Sequence, residues 1–342
     1  MKNYMRTLAF PLAVLLFSSI FSLVNAQIVP GLESTLSLRI APTYPEPGEA
    51  VFVTVESFSI DLNRATISWL MNGTLKQQRE GGIRFQFTAP LLGSAAAIDV
   101  VVQTGSGGTE TANVIVRPAA AELLWQAHTY APPFYHGKRL PSIGSEISVE
   151  AIPHFITESG RELLASELLY TWYVDGTIAQ EASGKGRKSI TVSQSKPVSA
   201  LSVEALIESP DQSLSHRARV LIPMKNPEVL IYENSPLLGI LFHTAVQDTY
   251  RLTAKEAKFI AFPFFMSLLN RNDSHITYSW ELNNEPIILG DDRGSITVNH
   301  SGEGSGVARI NAAVTNRRDI FQAGSTEFSI EFSGGSFPGF GL

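Results

Sequence analysis

The sequence predicts an all-β chain of three tandem β-sandwich domains behind a cleaved signal peptide. Three observations carry this reading. A tryptophan-centred motif occurs three times, as Ile67-Ser68-Trp69-Leu70-Met71-Asn72-Gly73, Tyr170-Thr171-Trp172-Tyr173-Val174-Asp175-Gly176 and Tyr278-Ser279-Trp280-Glu281-Leu282-Asn283-Asn284. The same strands flank each copy in the same register. Outside 158–169, where Glu162-Leu163-Leu164 and Glu167-Leu168-Leu169 suggest a turn or two of helix, the mature chain shows no helical periodicity.

Residues 1–26 read as a secretory signal. Lys2 and Arg6 precede an apolar run from Leu8 to Val24 that closes on Val24-Asn25-Ala26, a small-residue ending suited to cleavage. An uncleaved anchor is the alternative, weakened by Pro11 and the serines at 18, 19 and 22 in a stretch already short for ~30 Å of hydrocarbon. No Cys follows to be acylated. The chain has no cysteine at all, so an exported protein of this sequence must be held by its cores and not by disulfides.

The first domain is expected over 28–117, the second over 118–223 and the third over 224–332. The tryptophans lie roughly 100–110 positions apart, the size of a whole sandwich domain. In each motif apolar residues alternate about the Trp, as in Tyr170/Trp172/Val174, placing Trp69, Trp172 and Trp280 on the core face of a strand. Asn-Gly, Asp-Gly and Asn-Asn then supply the positive φ of a hairpin turn. Before the motif runs an alternating strand, clearest in Ile147/Val149/Ala151 and Val51/Val53/Val55. After it come the strands 82–87, 188–192 and 294–298, and about 30 residues beyond each Trp the strands Ile98/Val100/Val102, Leu201/Val203/Ala205 and Ile310/Ala312/Val314. Strands at this spacing with Gly and Pro between them are the pattern of a β-sandwich.

Two repeated segments exceed that minimum. Glu122 to His136 matches Glu228 to His243, and both are aromatic and aliphatic with prolines, unlike a flexible linker. We read Trp125, Phe134 and Tyr135, and Tyr232, Leu241 and Phe242, as packing at the junctions between neighbours; an exposed ligand-binding loop is the alternative. Phe264, Phe265 and Met266, after Pro263, are candidate partner contacts, with burial past a bulge as the other reading. The tail 333–342 offers Phe337 and Phe340 as further candidate anchors.

Catalytic chemistry has no candidate. The seven His are scattered, and no HExxH or Cys/His cluster occurs. Gly184-Lys185-Gly186-Arg187-Lys188-Ser189 fails as a phosphate loop because Arg-Lys separates the glycine from Ser189. Asp291-Asp292 lacks the alternating acidic spacing of calcium loops. No cofactor and no metal are therefore expected. A net charge of −6 argues against nucleic acid.

On Trp69, Trp172 and Trp280, each before a turn and each followed by an aliphatic strand, the chain resembles the immunoglobulin-like superfamily in its disulfide-free bacterial form, including polycystic-kidney-disease-type modules. The resemblance implies the fold and says little of function, since such sandwiches serve adhesion, spacing, carbohydrate binding and chaperoning alike. The expectation is an exported, non-enzymatic structural or adhesive module of the bacterial envelope, in the periplasm, at the surface or outside, binding a protein or glycan. Alternatives are an accessory subunit of a pilus or secretion machine, or a carbohydrate-binding module. Membrane contact is expected only through the signal peptide before cleavage.

Overall fold

The computed structural model describes residues 35–300 and 304–333. The expected signal peptide, and the tail with Phe337 and Phe340, lie outside the described residues.

The described chain is all β. A first block holds β1 (Leu36–Ala41), β2 (Ala50–Ser57), β3 (Thr66–Met71), β4 (Thr74–Glu80), β5 (Arg84–Thr88), β6 (Ala96–Gln103) and β7 (Thr109–Val116). A second holds β8 (Ala120–Ala127), β9 (Glu146–His154), β10 (Leu169–Val174), β11 (Thr177–Ile178), β12 (Gly184–Lys185), β13 (Ser189–Ser193), β14 (Ala200–Glu208) and β15 (Ser215–Pro223). A third holds β16 (Glu228–Ser235), β17 (Gly239–Ile240), β18 (Thr249–Leu252), β19 (Glu256–Phe264), β20 (Ile276–Leu282), β21 (Glu285–Pro286), β22 (Ser295–Asn299), β23 (Gly306–Asn316) and β24 (Ala323–Phe332). Residues 158–168 form turns and a bridge instead of the expected helical turns, and Leu169 already opens β10, because Phe155, Leu163 and Leu168 are drawn into the second core from an irregular backbone.

In each block the two sheets divide the strands in the same way. The first pairs β1-β2-β5 with β4-β3-β6-β7, the second β8-β9-β13 with β11-β10-β14-β15, and the third β17-β16-β19-β22 with β18-β24-β23-β20-β21. The first two long strands and the one after the Trp hairpin form one sheet; the Trp strand, its hairpin partner and the last two form the other. That is the strand order of immunoglobulin-type sandwiches. The fold is immunoglobulin-like. The third block adds β18, which runs parallel to β24 with Thr249 opposite Ser329 and Leu252 opposite Phe332.

Period-two alternation sets the cores. Val51, Val53 and Val55 face Ile98, Val100 and Val102 in the first block, all at most 1% exposed. Trp69 lies opposite Val100, Trp172 opposite Ala205 and Trp280 opposite Ala312, and each indole is essentially fully buried. The buried indole nitrogen needs an acceptor. Trp69 donates to the Gly82 carbonyl at 2.7 Å, Trp172 to that of Arg187 at 2.8 Å and Trp280 to that of Arg293 at 3.2 Å. The acceptor in every block sits at the approach to the opposing sheet, so one side chain tethers both layers.

The hairpin turns do more than reverse the chain. Asn72, Asp175 and Asn283 adopt φ of 52°, 48° and 50°, followed by Gly73, Gly176 and Asn284, also positive. Their side-chain oxygens accept from the backbone N–H of Ala97, Ser202 and Arg309 at 2.9, 3.0 and 2.8 Å, while their own N–H groups donate to Ala97, Ser202 and Arg309 carbonyls. A short carbonyl-bearing side chain at positive φ thus extends the central ladder past the strand end.

Candidate functional site

The connection from β8 to β9, residues 128–145, leaves the second block and lies across the third. Its root is fixed: the His128 ring bonds the Ser148 hydroxyl at 2.7 Å, and the Thr129 hydroxyl donates to the Leu140 carbonyl at 2.9 Å. Tyr130 then exchanges backbone bonds with the end of β19, donating to Met266 at 2.7 Å and accepting from Phe265 at 2.8 Å. Ala131, Phe134, Tyr135 and Leu140 cover a face made by Leu230, Tyr232, Ile260, Phe262, Phe264 and Phe265.

This face is the outer side of the third block's sheet, the side that water normally solvates. Val229, Ile231, Phe259 and Ala261 fill the inner side, so β19 is apolar on both faces. The aromatic rings interlock. Phe134 stacks on Phe242 at 4.0 Å and meets Tyr232 and Phe262 edge-on at 5.2 and 5.4 Å; Tyr135 meets Phe264 and Phe265 edge-on at 5.6 and 5.8 Å. Phe265 has φ of 62°, unfavourable for a bulky residue. That conformation breaks the strand alternation, turning Phe265 to the same side as Phe264 and leaving Met266 to enter the third core. Burial pushes the Tyr130 and Tyr232 phenols upward, keeping both neutral over a wide pH range.

A polar clamp closes the other side. Gln322, fully buried, donates to the Ile143 carbonyl of the second block at 3.0 Å and to the Ser267 hydroxyl at 2.9 Å, while its oxygen accepts from Ser267 N–H at 2.7 Å and Asn316 at 2.9 Å. Beside it Gly144, at φ 79°, lies so close to Asp319 that a Cβ there would fall 1.5 Å from Oδ2. The network reaches from the β8–β9 connection to both loops of the third block that face it.

Several sequence expectations change here. Phe264 and Phe265 are 4% exposed and Met266 is buried outright, so these residues do not offer a free partner surface; the neighbouring block and the core already take them. Phe134, Tyr135, Tyr232 and Phe242 do not serve two junctions. They converge on one, between the second and third blocks, because the first segment reaches forward while the second lies within its own block. Trp125 lies elsewhere, against the second core with the Lys138 ammonium 3.4 Å over its ring. Leu241 is half-buried beside β16, its N–H bonded to the Glu233 carbonyl.

The first and second blocks meet differently. Arg117 donates to Glu158 at 2.8 Å, Gly93 lies against Ile156, and buried His216 faces Glu46 at 3.9 Å. This contact mixes an ion pair with the Gly93–Ile156 approach and has no aromatic cluster like that of the second junction. Its reach also comes from the connection between the block's first two strands, which carries Glu46. Sequence reading passed over His216, and also Gln322, whose partners lie 55 and 179 positions away.

A polar cavity of about 580 Å³ in the third block is lined by Arg271, Asp273, Tyr278, Asp292 and their neighbours. Most of its groups are paired with one another, but Arg271 Nη1 is buried without a hydrogen-bond partner. Burial pushes the Asp292 carboxyl up, but the Arg271 bond at 3.0 Å, the Arg271 charge and bonds from Ser295 and the Gly294 N–H together hold it below its ordinary value; Asp273 accepts from His275 and Leu269 N–H groups and is held at about 2. Among the described residues no group of three or more His, Asp or Glu could hold a metal ion. No described helix is long and apolar enough to cross a membrane.

No family model matches the chain, and no curated protein does. Solved structures similar to it include the three N-terminal domains of the bacteriophage RB49 highly immunogenic outer capsid protein, 12% identical over 88% of this chain and 99% of that one, TM-score 0.26. A bacterial ice-binding adhesin involved in host cell surface retention is 10% identical over 88% and 98%, TM-score 0.22. SGBP-B of a Bacteroides ovatus mixed-linkage glucan utilization locus, solved with a heptasaccharide, is 11% identical over 89% and 71%, TM-score 0.21. Superpositions this loose carry no argument, and the fold assignment rests on the strand order described above.

Proposed function

We propose that the chain is an exported, non-enzymatic structural module of a bacterial envelope, built as three sandwich domains (28–117, 118–223 and 224–332), that positions a protein or glycan partner. The observation that supports it most is the β8–β9 connection laid over the third block. A junction in which Phe134 and Tyr135 interlock with five rings of the third block, beside a buried glutamine clamp, sets one block at a fixed angle to the next, which a spacer or adhesive stalk needs and a catalyst does not. In the polar cavity the two carboxylates, Asp273 and Asp292, are tied up by their neighbours and not free to act as an acid or base. Cell fractionation with protease accessibility tests the reading: a tagged chain should leave the cytoplasm, lose residues 1–26 and become accessible outside the inner membrane. A chain retained whole in the cytoplasm refutes it. A role as an accessory subunit of a larger envelope assembly is favoured by one observation, the near-complete exposure of Leu237 and Leu238.

A further inference from the structure

In the first two blocks the connection between the first two strands points to the end where the next block lies. In the first it is Pro42 to Glu49, which brings Glu46 to His216. In the second it is the 128–145 connection, where Ala131 packs against the third block and Pro132 beside it is buried. The repeat that aligns Glu122 with Glu228 aligns Ala131 and Pro132 with Leu237 and Leu238. These two leucines sit at the tip of the β16–β17 hairpin, where Asn234 pairs with Ile240 and Ser235 with Gly239, and are 94% and 78% exposed. No described residue covers them. Two adjacent leucines on a hairpin tip cost solubility, and their counterparts one block earlier are the residues a neighbouring sheet buries.

We propose that the Leu237–Leu238 tip docks on the outer sheet face of a further β-sandwich, carried by a partner chain, with that face apolar and aromatic like the Leu230, Tyr232, Ile260, Phe262, Phe264 surface. A second copy of this chain is not the occupant. The outer face of the first block carries Arg39, Thr54, Arg84 and Gln86, with Arg84 lying over its one aromatic, Phe52; that of the second sets the exposed Leu124 and Ile152 among Glu122, Gln126, Ser148 and Glu150 and carries no aromatic ring; and that of the third is already covered. The hairpin is pre-shaped, with Gly239 at φ 72° closing the turn, so little ordering is required on docking.

The inference names the partner class for the structural module and rests on that reading. The test is photo-crosslinking in the native cell, with p-benzoylphenylalanine placed at Leu238 of the full chain and, as a control, at Leu164, exposed in the second block. The expected result is one dominant adduct at 238, absent at 164, mapping to a strand of a single other protein, and reduced about tenfold or more when Leu237→Glu is added. An adduct to a second copy or to this chain's own 334–342 segment overturns the proposal, as does equal or no labelling at the two positions. None of these outcomes bears on export, so the function reading survives or fails separately by fractionation.

Discussion

Replacing Phe134 with Ala removes the ring at the centre of the block-two to block-three contact. The ring makes one stacked and two edge-on contacts, with Phe242, Tyr232 and Phe262. At ~0.5–1.5 kcal/mol per aromatic pair, and with ~25 cal/mol for each Å² of apolar surface returned to water, the loss is about 3 kcal/mol once the half-exposed part of the ring is discounted. That shifts the docked-to-undocked ratio by about a hundredfold. Because the chain has no cysteine, Glu181→Cys and Glu285→Cys give two specific dye sites, both exposed, one on each block. Single-molecule energy transfer should show one narrow population in the parent and a broadened or second population in the Phe134→Ala chain, with the melting of both sandwiches unchanged. An unaltered narrow distribution would show that the ring cluster does not set the angle, and the argument from it would fall.

Trp172→Ala should cost its own block ~3–5 kcal/mol, from cavity formation and the lost bond to the Arg187 carbonyl, while the first block melts as before; calorimetry of the full chain separates the two. Gly144→Ala forces a side chain into φ 79° against Asp319, so it should loosen the same junction with no change in the second block's core, read by hydrogen exchange at Tyr130 and Phe265. His216 titrates below its ordinary range because burial outweighs the pull of Glu46 and Glu49. The unfolded chain therefore takes up that proton first, so the stability tied to neutral His216 is complete above about pH 6.5 and falls away as pH drops through the lowered value. Denaturation midpoints from pH 7.5 to 5 should decline less in His216→Gln than in the parent, and parallel declines would remove His216 as the cause.

The fold was readable because its signals are local. Trp-x-x-Asn-Gly and its variants mark one strand and its turn, and alternation in Val51/Val53/Val55 or Ile147/Val149/Ala151 states which face is buried. What lies across that face is a tertiary fact. Phe264 looked like a candidate for exposure because a strand pattern does not say whether a second layer covers the outer side. The available signal was the unbroken apolar run Phe259 to Met266, the mark of a strand buried on both faces. The turn at Phe265 was not readable at all, since nothing in the sequence asks a phenylalanine to take positive φ. Nor was the convergence of both repeated segments on one junction, because equal sequence does not guarantee equal neighbours: Phe134 found a sheet to cover, and Phe242 found Phe134.

The tether from each buried indole to the opposite layer has a bearing on where the chain can mature. An antibody-type domain waits for an oxidant to join its two sheets with sulfur, and thiol reagents can undo that work. Here the cross-layer link is a hydrogen bond from Trp69, Trp172 or Trp280 to a backbone carbonyl, formed the moment the ring is enclosed. It needs no redox enzyme and no particular compartment. Each sandwich should therefore reach the same end state under reducing and oxidising conditions alike, and a host that keeps its surroundings anaerobic loses nothing by making it.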